Sequence, residues 1–111
     1  MENSIQIFNN PEFGEMRTTL SEDNEPLFNA NDVCNALGHS NYRDAVIRHC
    51  EDGDVVKRDT LTEGGVQLVN YVNESGLYSL IFGSKLPKAK EFKHWVTSEV
   101  LPSIRKTGGY I

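Results

Sequence analysis

Cysteine is scarce here: Cys34 and Cys50 are the only two in 111 residues. Two cysteines make no disulfide framework, and they are too far apart for the close-spaced pairs that structural zinc sites use. Placing Cys34, His49 and Cys50 on apolar helix faces makes them core residues rather than ligands. Long apolar runs are missing as well. Nothing approaches the ~20 residues of a membrane helix, so a membrane is not an expected partner. The opening MENSIQIFNN lacks a basic stretch followed by an apolar one, and the cytoplasm, with reduced thiols, is the expected compartment. No phosphate loop is present, because Gly64-Gly65 lacks the following glycines and lysine. No serine sits in a Gly-x-Ser-x-Gly elbow, and the carboxylates gather in turn-like clusters. Neither an enzyme nor a cofactor is expected.

Positive charge is also short. The net charge is −5, which by itself argues against nucleic acid. Its distribution argues differently. Residues 1–54 set three arginines against eleven acids, a net −8, whereas residues 55–111 set eight basic residues against five acids, a net +3. That asymmetry points to a polar molecule with one basic region.

What is present suits a single globular domain. Hydrophobic residues make up 38% and charged residues 24%, enough for one core without staples. Ile5-Gln6-Ile7-Phe8, ended by Asn9-Asn10-Pro11, reads as a strand. Phe13 to Leu20 reads as another, followed by turn chemistry at Ser21-Glu22-Asp23-Asn24 and a short strand at Pro26-Leu27-Phe28. Ala30, Val33, Cys34 and Leu37 share one helical face, closed by Gly38. Asn41 caps a second helix with Tyr42, Ala45, Val46, His49 and Cys50 on its apolar face. A hairpin of Val55–Thr60 and Val66–Val72 follows, its loop glycines supplying positive φ. Asn73 or Ser75 caps a third helix carrying Leu77, Leu80 and Ile81, with Gly76 weakening its first turn. Asn73-Glu74-Ser75 also matches a glycosylation acceptor, but nothing else points to secretion. Gly83-Ser84 breaks that helix. Pro87 fits the first turn of a longer one, with Ala89, Phe92, Trp95, Val96 and Val100 inward. Pro102 ends or kinks it. The expected fold is α+β: small antiparallel strands and hairpins packed with about four helices.

The two short helices joined at Gly38 invite a helix-turn-helix reading, but the positions near Asn41 and Asp44 that should be buried are polar. An αα-hairpin in the core fits better. The basic residues lie at Arg43 and Arg48 on the second helix, Lys57 and Arg58 on a strand, and Lys85, Lys88, Lys90, Lys93, Arg105 and Lys106 around the long helix. Residues 85–106 hold six basic residues against Glu91 and Glu99. Arg43 and Arg48, five positions apart on a helix, project about 140° apart and cannot point the same way.

Several segments resemble the BRO N-terminal domain family, found in phage antirepressors and the baculovirus repeated open reading frame proteins. They are Ile7-Phe8-Asn9-Asn10-Pro11-Glu12-Phe13-Gly14; Asn31-Asp32-Val33 with Ala36-Leu37-Gly38; Arg48-His49; and Val56-Lys57-Arg58-Asp59-Thr60. Asn73-Glu74-Ser75-Gly76-Leu77-Tyr78 and the run from Ser84 to Ile111 complete the match, the last including Phe92-Lys93-His94-Trp95-Val96 and Glu99-Val100-Leu101-Pro102-Ser103-Ile104-Arg105-Lys106. Gly108-Gly109, after the basic end of the last helix, reads as the start of a linker, and the resemblance implies that residues 1–111 are one DNA-binding domain, the N-terminal part of a longer protein. It implies a role in transcription regulation of phage or prophage genes, with DNA as partner. The alternative is a protein-interaction module that binds a repressor protein or mediates homo-oligomerisation. The resemblance marks no DNA-contacting residue. The candidates rest on charge placement: Arg43, Arg48, Lys57, Arg58, Lys85, Lys88, Lys90, Lys93, Arg105 and Lys106.

Overall fold

A computed structural model of the chain describes residues 5–107, so Gly108-Gly109 and the first four residues lie outside the described part. β1 (Gln6–Asn10), β2 (Gly14–Leu20) and β3 (Pro26–Asn29) form the expected meander. Asn10 Oδ1 accepts from the N–H groups of Glu12 and Phe13 at 2.7 and 3.1 Å and so turns the chain after β1. Asn24, at φ 63°, turns it before β3. The second hairpin, β4 (Val55–Thr62) and β5 (Gly65–Val72), joins this meander. Phe28 pairs with Val72 and Asn29 with Tyr71, giving one antiparallel sheet in the order β1-β2-β3-β5-β4. β3 has only four residues, so most of the eight-residue β4–β5 pair runs past it as a two-stranded arm. Only Gly65 of the two loop glycines takes a positive φ, 104°, which corrects the expectation for Gly64.

The helices cover the sheet face that carries Met16, Phe28 and Val72. α1 (Ala30–Ala36) is capped by Asn29, whose side chain accepts from the Asp32 N–H, and Gly38 at φ 78° turns the chain away from its end. α2 (Tyr42–His49) is capped by Asn41 as expected, and buries only Ala45 and Val46. α1 and α2 therefore pack as an αα-hairpin whose second member keeps a broad outer face. α3 (Glu74–Phe82) is capped by Asn73 through the Gly76 N–H at 2.8 Å, and buries Leu77, Leu80 and Ile81. Gly76 is less a weakness than a requirement. A Cβ there would lie 3.0 Å from Val72 Cβ and 3.1 Å from Asp54 Cβ, so its absence lets α3 sit directly on the end of the sheet.

The last helix spans residues 89–107 in three parts: α4 (Ala89–Trp95), a wider π-type segment (Val96–Val100) and α5 (Leu101–Thr107). Two expectations change here. Pro87 lies in a turn ahead of the helix, where the Ala89 N–H donates to the Leu86 carbonyl at 3.1 Å, rather than in its first turn. Of the two outcomes expected of Pro102, ending the helix is the one the structure overturns. The preceding segment widens so that the Leu101 N–H reaches Val96 O, and the chain accepts a residue that has no N–H and crowds the turn before it. Thr97 and Ser98 hydroxyls bond back to the carbonyls of Lys93 and His94, as happens where a helix ladder is disturbed. Phe92, Val96, Val100 and Ile104 are all buried against the core. Trp95 is buried too, stacked on Phe13 with centroids 6.3 Å apart.

One polar contact joins sheet to helix. Asp32 is buried, and its carboxylate accepts from the Arg17 backbone N–H at 2.9 Å and from the guanidinium at 2.8 Å through both Nε and Nη2. That contact raises the Arg17 pKa further above its ordinary value. Replacing Asp32 with alanine removes all three bonds; with Arg17 partly open to water, the expected loss is about 2–3 kcal/mol, read as a lower urea midpoint with an unchanged slope. An unshifted midpoint means that the contact is not holding α1 to the sheet.

Candidate nucleic-acid interface

The ten basic residues proposed from charge placement do not form one surface. Three are tied elsewhere. Lys88 pairs with Glu12, Arg105 with Glu74 at 3.2 Å, and the half-buried Arg58 donates to the Leu20 carbonyl at 3.2 Å. Lys57 is exposed on the arm, and Lys90 and Lys106 on the long helix. Arg43 stacks over the Tyr42 ring at 5.0 Å and lines a cleft with Arg17 and the arm residues Gln67 and Leu68. Arg48 lies on a different side of α2, as the five-residue spacing requires.

Three of the ten do converge. One groove, 560 Å³ in volume, runs between the α1–α2 turn, α2 and the α3–α4 connection; Asp44, Arg48, His49 and Lys85 line it. A second, of 860 Å³, runs between the end of α2 and the outer side of α3; Arg48, His49, Tyr78, Phe82 and Lys93 line it. Arg48 and His49 belong to both. Local bonding explains why these segments meet. The Ser84 hydroxyl donates to Leu37 O at 2.7 Å, and its oxygen accepts from the Leu86 N–H at 3.1 Å, so the loop carrying Lys85 is tied to the end of α1. His39 Nε2 donates to Leu80 O at 3.1 Å, tying the α1–α2 turn to α3. The His49 ring lies 5.5 Å from that of His39 and packs flush on Gly83, where a Cβ would fall 2.5 Å from its Cε1.

The electrostatics are mixed and local. Arg48 pairs with Asp44 at 2.8 Å one helical turn away, and both remain mostly exposed. Lys93 Nζ lies 5.9 Å from the centre of the Tyr78 ring. The Tyr78 hydroxyl donates to Glu74 at 3.2 Å; burial first, then that carboxylate, pushes its pKa up and keeps it a neutral donor. Lys85 has no ion-pair partner among the described residues.

Sequence reasoning missed two members of this surface. Helical spacing puts His49 in the core, yet it is only half-buried and lines both grooves. Phe82 received no role, although it lies beside the helix-breaking Gly83 and off the Leu77–Leu80–Ile81 face. It is 93% exposed.

Cys34 and Cys50 lie among apolar residues. Cys34 is buried, and Cys50 Sγ donates to the Gly76 carbonyl at 3.6 Å. Among the described residues, no cluster of His, Cys, Asp or Glu is placed to hold a metal ion. Burial pushes the Cys34 thiol up to about 12 and the Cys50 thiol to about 11. Because the thiolate is the reactive form, iodoacetamide at pH 8 should label neither cysteine in the folded protein and both in urea, as intact-mass spectrometry would register. Rapid labelling of folded protein contradicts this placement.

Comparison with known proteins adds the family context. Residues 15–102 match the model of the BRO family, N-terminal domain. An uncharacterized protein of Haemophilus influenzae is 44% identical over 112 aligned positions, covering 99% of this chain and 55% of that protein. Bro-N domain-containing protein 289L of Invertebrate iridescent virus 6 is 34% identical, covering 77% of the chain and 25% of its own length. Bro-N domain-containing protein J of Lymantria dispar multicapsid nuclear polyhedrosis virus is 30% identical, covering 86% of the chain and 28% of its own length. The chain thus spans about half of the bacterial relative and about a quarter of the viral ones. No solved structure matches it.

Proposed function

Since the chain belongs to the BRO family through its N-terminal domain, we propose that it is a non-enzymatic DNA-binding domain of an antirepressor-like regulator of phage or prophage genes, working in the cytoplasm of a bacterial host. The observation that carries this reading is the convergence of Arg48, Lys85 and Lys93, from three separate segments, on two adjoining grooves. Phosphate oxygens need several cations side by side; Ser84 ties the loop of Lys85 to the end of α1, and His39 ties the turn ahead of Arg48 to α3. The acidic first half is less of an obstacle than its net charge suggests. Lys88 of the second half pairs with Glu12, and Asp32 is buried against Arg17.

Salt dependence supplies the test. Each neutralised phosphate steepens the fall of log affinity with log salt by about 0.9. Reversing both Lys85 and Lys93 to glutamate should flatten that slope by about 2 and weaken binding to random and operator DNA alike. Both side chains are exposed, so stability should change by less than ~0.5 kcal/mol. Fluorescence anisotropy at two salt concentrations, with melting as a control, measures both. Unchanged affinity in the double variant removes the grooves as the interface.

A second reading, a protein-interaction module that binds a repressor or mediates homo-oligomerisation, is favoured by the arm. Val66 and Leu68 are 69% and 63% exposed there, beside the edge strand β4. Binding through apolar surface would vary little with salt, and V66S/L68S would abolish it while leaving DNA affinity intact.

A further inference from the structure

Phe82 stands between the two grooves. It is the last residue of α3 and lines the second groove, while the next residue, Gly83, lines the first. At 93% exposure its ring is the most open of the large apolar side chains described. None of the described residues covers it, and the charges around it are mainly positive. Arg48 and Lys93 share its groove, and Lys85 follows three residues later across the ridge. The ridge is also firmly seated. Leu80 and Ile81 are buried just behind it, and the His49 ring fills the space where a side chain at Gly83 would stand.

An exposed aromatic ring flanked by cations fits a partner that is anionic outside and offers flat apolar surface within. A nucleic acid has both: phosphates for the grooves on either side, and base faces for the ring. A protein partner would need an apolar pocket rimmed with acids, which fits fewer of these features. Resting on the DNA-binding reading, we propose that Phe82 is a wedge that enters the base stack of duplex DNA while Lys85 and Lys93 hold phosphates on its two sides. Wedges of this kind unstack one base step and bend the duplex, and they act where stacking is weakest, at TpA steps.

The experiment uses the 111-residue chain and a short duplex of TpA steps with 2-aminopurine replacing one adenine, followed by anisotropy for binding and by 2-aminopurine fluorescence for unstacking. The expected result for the wild type is a fluorescence rise that tracks binding. F82A should abolish the rise and weaken binding about 10-fold, within the range for loss of a base–aromatic stack, while keeping the salt slope. F82L, still apolar, should retain part of the rise. If the wild type binds without a rise, or F82A binds and brightens as the wild type does, the wedge is refuted and the DNA-binding reading stands. If the wild type does not bind duplex DNA at any salt, both fall. If F82A instead turns a sedimenting dimer into a monomer with DNA binding unaltered, the ring belongs to an interface between copies and the wedge is again refuted.

Discussion

The fold depends on how β3 ends. Thr18 pairs with Phe28, and the next pair along the ladder would be Arg17 with Asn29. At that point the chain turns into α1, and the Arg17 N–H would lose its strand partner. Asp32 supplies one, accepting from that N–H and from the same residue's guanidinium. Asn29 at the junction serves twice, pairing with Tyr71 of β5 and capping α1 through the Asp32 N–H. A buried carboxylate without such partners would be costly, so the contact fixes where sheet gives way to helix. Every later element is placed by that corner. β5 joins the sheet beside it, and α3 follows β5 onto the core.

α3 is the element that connects core to surface. Gly76 lets its first turn rest on Val72 and Asp54, and Leu77 and Leu80 are fully buried. Its far end then emerges between α2 and the α3–α4 loop, where the grooves lie. The long last helix supports this from behind, its Phe92 and Val96 in the core and Lys93 outside. The widened segment before Pro102 keeps one face turned inward over the whole length, so that Val100 at its end and Leu101 and Ile104 beyond it stay buried.

Charge is organised by pairing more than by segregation. The sequence splits into an acidic half and a basic half, but folding brings them together through Lys88–Glu12, and Arg105–Glu74 pairs charges within the basic half. Two of the basic residues in the second half are thereby committed to structure. What is left for an anionic partner is Lys85 and Lys93, together with Arg48, whose exposed pair with Asp44 must be shared, all close to an exposed aromatic ring.

Local chemistry determined much of this from sequence alone. The strand runs bounded by turn residues, the Asn41 cap, the Gly38 turn and the inward face of the last helix are set by neighbouring residues, and of the two caps open for α3 the structure takes Asn73. The BRO resemblance, carried by motifs along the chain, is likewise a property of sequence. Contacts between distant segments were not legible. Arg17 and Asp32 are fifteen positions apart, and Ser84 and Leu37 forty-seven, with no pattern that joins them. The merging of the meander and the hairpin into one sheet depended on the second edge of β3 meeting β5, at Phe28–Val72 and Asn29–Tyr71, residues far apart in sequence. Which cations remain available depended on which acids folding placed beside the others. Linear charge counting cannot supply that, because an ion pair is decided by distance in space and not by position along the chain.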